Sequence, residues 1–417
     1  MAVKMRCASL KDSRGEYSIV QDTSYISSRF HFLQHLAPTM VNLFKKIWKV
    51  SYLLSVMNAK SPLWFSGVTV NGLEFGLGPK GPDDIFNYPG TFNYDFFSPK
   101  NVSLGYLESN GVNLFRIAFA WERIMPDLST NELNSAYVSH LDKAVAYITK
   151  NGTAMALLEM HNYGRYYFIG SEAKVSSIIG DGMITKDNFI MSWMAIANHY
   201  KNNTLVSFGL MSGGRGFPNN AVEYYQGMLE IITNLRSSGF QHYIFIRGAE
   251  ANSVKGHKNS ANALMPIVEK RFTNIIFEVS QYFNVEAGNY TDCSLADNAE
   301  ELFGEMTDWL SANELVGFLA EASVNNVCIP ALERVLASFS QATSPWIGFA
   351  YFASGSAWGD SPGERFLEKS GPGVINGKQL QLITKYRGVG APRAVSGAPR
   401  SSMLSALSML FAFVMTL

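Results

Sequence analysis

Several polar side chains of this 417-residue chain follow, or interrupt, short apolar segments. Glu321 ends the segment Val316–Glu321, His161 and Asn162 end another, and Arg116 lies within a third. A charged group in apolar surroundings is unfavourable unless it is paired or faces a solvated cleft. Carboxyl and imidazole groups in a cleft are suited to proton transfer, and a guanidinium is suited to holding a carboxylate. We therefore expect a polar cleft in which Arg116 pairs with Glu321 or with a neighbouring carboxylate.

Short runs of apolar, β-branched or aromatic residues predict the strands that position this cleft. Eight such runs occur, namely Leu63–Val70, Asn113–Ala120, Thr153–His161, Leu205–Ser212, His242–Gly248, Ile275–Gln281, Val316–Glu321 and Trp346–Ala353. Amphipathic segments of helical length lie between most of them, among them Val138–Lys150, Asn188–Lys201, Ala221–Ser237 and Asn298–Ala312. Continuous apolar strands that alternate with helices predict a parallel sheet covered on both faces, and eight such units close into a (β/α)8 TIM barrel. An open doubly wound sheet is the competing topology, but the first strand lacks the GxGxxG that usually binds a nucleotide there.

In a (β/α)8 barrel the chemistry takes place at the carboxyl ends of the strands, so the polar residues there form the candidate site. Every predicted strand supplies at least one of them, and the barrel would gather them at one end. They are Glu74, Arg116, His161, Asn162, Ser212, Gly213, Glu250, Ser280, Tyr282, Glu321, Trp358 and Asp360.

The composition argues against some kinds of partner and ligand. Lys and Arg together number 34, as do Asp and Glu, so the formal charge is zero. Binding to nucleic acid or to an anionic membrane surface favours a basic excess, so neither is predicted. The three cysteines include no CxxC pair, which argues against a structural zinc site.

Cysteines and glycosylation motifs indicate an oxidising compartment. Cys293 and Cys328 bracket a predicted helix and a predicted strand, and a single disulfide between them would suit such a compartment. N-x-S/T motifs, which accept N-linked glycans, begin at Asn101, Asn151, Asn202 and Asn289. We therefore predict a secreted glycoprotein.

Both ends of the chain have the composition of targeting segments. Residues 403–417 form an uncharged apolar tail after a small-residue spacer at 388–402, which is typical of a glycosylphosphatidylinositol (GPI) signal; a short tail anchor is the alternative. Residues 40–59 follow the basic, apolar, small-residue order of a signal peptide, with an amphipathic surface helix as the alternative. Residues 1–39 are predicted to be an unstructured extension or to precede the true start. The folded domain is then 60–387.

Several segments resemble, in order and spacing, the fungal endo-β-1,4-glucanases of glycoside hydrolase family five. They are GLEFG from Gly72, GVNLFRIAFAWERIMP from Gly111, HNYGRYY from His161, YIFIRG from Tyr243, IIFEVSQYF from Ile275, FLAEAS from Phe318, NNVC from Asn325 and WIGFAYFASGSAWGD from Trp346. The resemblance covers roughly residues 63–385. It implies the (β/α)8 barrel, a disulfide between Cys293 and Cys328, and a two-carboxylate retaining mechanism that needs no metal or organic cofactor.

The resemblance assigns the two catalytic positions differently. Glu321 matches the glutamate that attacks the anomeric carbon, at the end of the seventh strand. The acid/base glutamate belongs at the end of the fourth strand, within FGLMSGGRGFP, where the family has an Asn-Glu pair and this sequence has Ser212 and Gly213. Gly213 therefore occupies the acid/base position, and we predict that this group is lost.

Other positions around the same cleft also depart from the family pattern. Ser280 stands where the family has a histidine, Ala251 where it has a tryptophan, and Tyr351-Phe352 where it has a Trp-Trp pair. Departures at so many positions favour a changed function over a single sequencing error.

The resemblance, corrected for these departures, implies a monomeric protein that binds β-glucan or cellulose and hydrolyses it weakly or not at all. The predicted substrate-binding residues are Arg116, His161, Asn162, Tyr163, Tyr282, Phe352 and Trp358. One alternative is an active endoglucanase in which Glu250 acts as a substitute acid. Another is a cell-surface structural protein with a vestigial cleft.

Overall fold

The computed structural model describes residues 9–11, 17–19, 63–76, 89–168, 176–212, 221–250, 253–283, 293–295, 297–355, 358, 365–368 and 373–391. The chain divides into two compact units, Met1–Ala59 and Lys60–Leu417. In the first unit the strands β1 (Ser9–Lys11) and β2 (Tyr17–Ile19) pair antiparallel, a hairpin that the sequence did not lead us to expect. The predicted signal peptide and the predicted apolar tail lie outside the described residues.

The second unit contains a closed parallel barrel of eight strands, as predicted. In chain order these strands are β3 (Phe65–Val70), β4 (Leu114–Phe119), β5 (Met155–Met160), β8 (Val206–Gly209), β9 (Ile244–Ile246), β10 (Ile275–Ser280), β11 (Gly317–Ala322) and β12 (Trp346–Ser354). The barrel closes where β12 pairs with β3. After β5, the short strands β6 (Arg165–Tyr167) and β7 (Ser176–Ile178) form a separate antiparallel hairpin.

Helices follow the barrel strands and cover the outside of the sheet. They are α1 (Asn101–Ser109), α2 (Trp121–Ile124), α3 (Ser135–Thr149), α4 (Lys186–Tyr200), α5 (Val222–Ser237), α6 (Val254–Glu269), a 3-10 turn (Glu301–Phe303), α7 (Gly304–Ala312), α8 (Ile329–Phe339) and α9 (Lys378–Lys385). The four helices predicted from the sequence correspond to α3, α4, α5 and the 3-10 turn with α7. Within the described part of the chain, no helix combines the length and apolar character that crossing a membrane requires.

Two apolar layers stabilise the barrel. The larger layer lies between the strands and the helices, where outward residues such as Phe119 and Phe208 pack against Trp193 of α4. The smaller layer fills the bottom of the barrel, where the rings of Phe65, Phe245 and Phe318 meet at centroid distances of 5.1–6.3 Å. These packed layers fix the strands, and the strands in turn fix the side chains at their carboxyl ends.

The barrel continues past its predicted end. Val389 and Gly390, which we assigned to the spacer, donate backbone hydrogen bonds to Leu63 and Trp64 at 2.9 Å. A side chain at position 388 would collide with Trp64, because a Cβ atom built on Gly388 lies 2.5 Å from the Trp64 carbonyl oxygen. These contacts close the bottom of the barrel.

Candidate active site

The inward positions of the barrel strands change from apolar to charged toward the carboxyl ends. On four strands an apolar residue is followed two positions later by a charged one, because residues two apart face the same side of a strand. The pairs are Leu114 and Arg116, Leu157 and Glu159, Phe245 and Arg247, and Ile276 and Glu278. The four charged residues, here called the charged layer, are each at most 2% exposed. They lie directly above the apolar bottom of the barrel.

Arg116 connects the charged layer to Glu321. Its Nη2 atom lies 2.9 Å from Glu159 Oε1 and 2.8 Å from Glu321 Oε1, and its Nη1 atom donates to Thr69 Oγ1 at 3.3 Å. Burial alone would lower the pKa of Arg116, but the two carboxylates raise it above its ordinary value. Arg116 therefore stays a cation, and it pairs both with Glu321 and with a neighbouring carboxylate.

Glu321 owes its position to irregular pairing on both sides of β11. The register shifts between Val279 and Ser280 on one side and between Leu319 and Ala322 on the other. Such irregularities commonly redirect a side chain near an active site. The Glu321 side chain is 12% exposed, whereas the side chains of its ion-pair partner and of Glu159 are completely buried.

The environment of Glu321 favours its ionised form. Tyr282 donates from its hydroxyl to Glu321 Oε2 at 3.3 Å, while Arg116 holds Oε1. Burial would raise the pKa of Glu321, but the positive charges of Arg116, Arg247 and His161 lower it to about 2. The group is therefore a carboxylate throughout the neutral and weakly acidic range, as a nucleophile must be.

His161 belongs to the same network through Glu159. Its Nδ1 atom lies 2.9 Å from Glu159 Oε2, and its Nε2 atom lies 3.0 Å from the Tyr163 hydroxyl. Burial lowers the pKa of His161, but Glu159 opposes this effect and the pKa is raised overall. The half-buried Tyr163 ring stands edge-on to the imidazole at 5.1 Å. Both rings therefore form one side of the site.

A second buried ion pair lies on the neighbouring strands. Arg247 donates from Nε to Glu278 Oε1 at 3.0 Å and from Nη1 to Ser280 Oγ at 2.9 Å. Ser280 is the partner of Glu321 in the pairing of β10 with β11, and the positive charge of Arg247 helps to lower the pKa of the Glu321 carboxyl. Ser280, where the resemblance predicts a histidine, thus holds Arg247 on the strand next to the one that carries Glu321.

The end of β8 contains no charged side chain among its described residues. Ser212 is buried, donates its backbone amide to Met160 at 2.8 Å, and accepts a hydrogen bond from the Tyr163 amide at 3.0 Å. Gly213, the predicted acid/base position, lies outside the described residues. Its residue type alone means that it offers no protonatable side chain.

Asn162, like Arg116, is a predicted binding residue that is completely buried. Its side chain is completely buried, where Oδ1 accepts from the Trp121 amide at 2.7 Å and Nδ2 donates to Glu122 Oε2 at 2.5 Å. Burial raises the pKa of Glu122 to about 7. Asn162 therefore holds the turn after β5 against the start of α2. Its side chain does not form part of the cleft surface, and its role is to position the residues beside it.

Phe352, near the end of β12, and Trp358, just after it, belong to one aromatic cluster. The Trp358 ring stacks on Phe366 at 4.4 Å and meets Phe75 edge-on at 4.9 Å, and Phe352 lies 5.9 Å from it. Phe352 and Trp358 are partly exposed. The structure therefore offers an aromatic surface beside the end of β3.

Two further carboxyl groups lie at strand ends. Glu74 is buried, accepts from the Gly72 amide at 2.8 Å and from the Asn71 side chain, and has its pKa raised by burial. Glu250 is exposed and accepts from Asn259 Nδ2 of α6 at 2.6 Å. Its described side-chain contact is thus with a helix on the rim rather than with the charged layer.

The predicted disulfide is confirmed. Cys293 and Cys328 are bonded, with their Cα atoms 5.6 Å apart. The bond attaches the segment that follows Phe283 to the loop after β11, which carries Glu321. Among the described residues, no cluster of His, Cys, Asp and Glu is arranged to hold a metal ion.

Sequence reasoning did not assign a role to Glu159, Arg247 or Glu278, which complete the buried network. A signal for them exists in the sequence. Each lies within a predicted apolar strand, two positions after an apolar residue of the barrel bottom, and a buried charge of one sign requires a partner of the other. A search for strand-embedded charges that balance one another would have found all of them.

The sequence matches the cellulase family, glycosyl hydrolase family 5, over residues 85–355. An endo-β-1,4-glucanase A from Emericella nidulans is 31% identical over 324 residues, which cover 74% of this chain and 89% of that protein. An endo-β-1,4-glucanase B from Aspergillus niger is 30% identical over 310 residues, covering 71% of this chain and 83% of that protein.

Solved structures with the same fold include two that share 26% of their residues with this chain. One is XacCel5A in complex with cellopentaose, with a TM-score of 0.66, covering 78% of this chain and 99% of that one. The other is a triple mutant of an endo-β-1,4-glucanase from Xanthomonas axonopodis pv. citri, with a TM-score of 0.65 and the same coverage. The fold of this chain is therefore shared with one structure that holds cellopentaose and with another that is named an endo-β-1,4-glucanase.

Proposed function

This chain belongs to the cellulase family, glycosyl hydrolase family 5, and we propose that it binds β-1,4-glucan with hydrolysis lost or strongly reduced. The observation that carries the proposal is an anchored, ionised Glu321 in a sequence whose acid/base position is Gly213. Retaining hydrolysis needs two carboxyl groups, one to attack the anomeric carbon and one to protonate the leaving oxygen. Only the first of these has a candidate in its expected place.

The loss of the acid has a large effect on the reaction rate. General acid catalysis typically contributes about 10²–10⁴-fold, and a sugar hydroxyl is a poor leaving group that depends strongly on protonation. The serine and alanine at positions 280 and 251, where the family has larger side chains, would reduce the rate further. The chain is therefore proposed to keep the site without appreciable turnover.

The proposed ligand follows from the relatives and from the exposed surfaces of the site. The relatives are named endo-β-1,4-glucanases, and one solved neighbour holds cellopentaose. In this chain Tyr163, Tyr282, Phe352 and Trp358 are each partly exposed. Aromatic faces provide apolar area against sugar rings, and the Arg116 network supplies fixed charge beneath them.

The proposed location is outside the cell. We propose that the chain is secreted, N-glycosylated, attached to the cell surface by a GPI anchor, and monomeric. The support is the disulfide between Cys293 and Cys328, the N-x-S/T motifs and the composition of the two ends.

The second candidate function is hydrolysis with Glu250 as a substitute acid. Glu250 follows the fifth barrel strand, and its exposed side chain hydrogen-bonds to Asn259. The described side-chain contact of Glu250 is with helix α6 and not with Glu321 or the charged layer, so this candidate has less support than binding alone. The third, a structural protein with a vestigial cleft, is disfavoured by the retention of His161, Tyr163 and Tyr282 around the cleft.

A binding experiment tests the proposal. The full chain, expressed in a secretory host, is incubated with insoluble cellulose beside Trp358→Ala, Tyr282→Ala and the control Tyr106→Ala. Tyr106 is a matched control because it is 38% exposed on α1, on the outside of the barrel. We expect wild type and Tyr106→Ala to bind and both cleft variants to bind more weakly. Failure of the wild type to bind cellulose would reject the proposal.

A further inference from the structure

We propose that Asn202 carries an N-linked glycan whose first sugars lie in a groove along the outer face of α4. The ligand class is a short oligosaccharide attached to the chain itself, beginning with N-acetylglucosamine. This inference rests on the part of the proposed function that makes the chain a secreted glycoprotein. It is independent of the ligand of the cleft, because Asn202 precedes β8 and therefore lies at the opposite end of the barrel.

The outer face of α4 is apolar, although the exposed face of a surface helix is normally polar. The groove along it has a volume of about 750 Å³, within the range of about 300–1,000 Å³ that is typical of ligand sites. By contrast, α6 exposes Lys255, Lys258 and Asn262. The apolar lining of the groove is half-buried and consists of Leu133, Ile190, Met191, Met194 and Ala195.

Polar side chains line the same groove, namely Asn131, Asp187, Asn198, His199 and Glu230. Their amide, imidazole and carboxylate groups can form hydrogen bonds with the hydroxyl and acetamido groups of a sugar. The methionine side chains beside them adapt their shape to the apolar face of a sugar ring. A purely apolar partner would instead remove the polar groups from water without offering them hydrogen bonds. The mixed lining therefore favours an oligosaccharide.

Asn202 stands at one end of this groove. The lining residues of α4 recur at intervals of three and four residues from Asp187 to His199, which is the spacing of one helix face and spans about 18 Å of the helix axis. Position 202 continues this spacing just after Lys201, the C-cap of α4, whose backbone is still helical. Asn202 also lines a second groove of about 330 Å³, which shares His199 with the first. A glycan on Asn202 therefore begins beside the groove.

The other described N-x-S/T motifs differ from this one. Asn202 and Thr204 are both exposed, whereas the Ser103 side chain in the motif of Asn101 is buried. The motif at Asn151 is also exposed and also precedes a barrel strand, but Asn151 lines neither of the two grooves. Asn151 is therefore a matched control, an accessible site at the same end of the barrel without the groove.

The test measures how fast an endoglycosidase removes N-linked glycans from the full chain, purified from a secretory yeast host. Mass spectrometry of the glycopeptides identifies the asparagines that carry a glycan and follows the removal at each of them. We expect the glycan of Asn202 to be removed at least about tenfold more slowly from the native protein than from its isolated peptide, which corresponds to a contact of about 1.4 kcal/mol. The glycan of Asn151 should be removed at similar rates from both.

A variant of the groove shows whether the groove itself protects the glycan. Met191→Ala together with Met194→Ala reduces the apolar lining and leaves the motif at Asn202 intact, so removal from Asn202 should become faster. Met265→Ala, at a half-buried methionine of α6, is the matched control and should leave the rate unchanged. The comparison of native wild type with its isolated peptides does not depend on how well these variants fold.

The outcomes separate this inference from the proposed function. A glycan on Asn202 that is removed as fast from the native protein as from the peptide would overturn the inference alone, as would a chain glycosylated elsewhere but not at Asn202. Protection that persists unchanged in the double methionine variant would overturn the role of the groove. A secreted chain without any N-linked glycan would overturn both the inference and the proposed glycoprotein.

Discussion

The two sides of the cleft differ in how far their residues depend on one another. On the proposed nucleophile side, Glu321 shares Arg116 with Glu159, and Glu159 in turn holds His161. On the proposed acid side, at the end of β8, Ser212 makes neutral hydrogen bonds to the backbone of neighbouring strands and turns. The first is a network of buried charges, whereas the second needs no charge for its stability.

This difference determines which side of the cleft tolerates the substitution of a residue. Removing one partner of a buried ion pair leaves the other uncompensated, which is strongly destabilising. The described ion pairs of the charged layer are complete without a carboxylate at position 213, so a glycine there leaves none of them unpaired. Retention of Glu321 therefore has a structural reason as well as a chemical one.

The largest effect expected is a gain of activity on the acid side. Gly213→Glu should raise the release of reducing ends from soluble β-1,4-glucan by about 10²-fold, the lower end of what a general acid contributes, because Ser280 and Ala251 remain. Gly213→Gln is the control, since it has a similar size but no proton to give. Equal rates for the two variants would mean that the nucleophile side is no longer competent.

The next effect is on stability, on the nucleophile side. Arg116→Met should reduce the free energy of unfolding by about 3–5 kcal/mol, because it leaves Glu159 and Glu321 buried without a cation. Lys258→Met, which breaks an exposed pair with Glu305, should reduce it by less than about 1 kcal/mol. Urea denaturation followed by circular dichroism measures both. If both variants lost a similar free energy of unfolding, the buried ion pairs of Arg116 would not stabilise the fold more than an exposed pair does.

The pH dependence of stability should also distinguish two buried carboxyls. The pKa of Glu122 is raised to about 7 in the folded chain from an ordinary 4.5. Its contribution to the free energy of unfolding is therefore fully present below pH 4.5 and is lost as pH rises through 7. The pKa of Glu321 is lowered to about 2, so its contribution is present above pH 4.5 and is lost as pH falls toward 2. Each effect amounts to at most ~3 kcal/mol.

Matched variants isolate these two effects in urea denaturation at pH 3, 5 and 8. Glu122→Gln should reduce the loss of stability between pH 5 and pH 8 and leave the acidic range unchanged. Glu321→Gln should reduce the loss of stability between pH 5 and pH 3 and leave the range from pH 5 to pH 8 unchanged. If the free energy of unfolding of both variants depended on pH as that of the wild type does, the two pKa shifts would be contradicted.

The smallest expected effect is at Glu250, which follows β9 and contacts α6. Glu250→Gln should leave cellulose binding and reducing-end release unchanged, because the exposed Glu250 side chain hydrogen-bonds to Asn259 and has no described contact with the charged layer. The same assays measure it. A fall in release specific to this variant would instead favour the relocated-acid candidate.

The barrel could be predicted almost completely from the sequence. Each of the eight strands is a continuous apolar run bounded by turns, so its position is encoded locally, as for β12 at Trp346–Ser354. The boundary at residue 387 was less well defined, because the hydrogen bonds of Val389 and Gly390 to the start of the barrel join residues more than 300 positions apart. No local pattern reveals such a contact.

The candidate site was predictable in its residues and less so in its interactions. Arg116 was identified within a predicted strand, and His161 and Glu321 at strand ends; the structure brings them together through Glu159. Asn162 was expected at the cleft surface, but its side chain is buried because it satisfies Glu122 and the first turn of α2. Such partners come from residues that are distant in sequence, so only the folded chain defines them.

The measurement that tests the central claim most directly is the release of reducing ends from soluble β-1,4-glucan by the full wild-type chain. It is made beside Glu321→Gln and beside buffer alone. An anchored nucleophile without its acid predicts wild-type release no greater than that of the variant and the buffer. Wild-type release well above both, lost in Glu321→Gln, would contradict this account, because another group would then supply the proton.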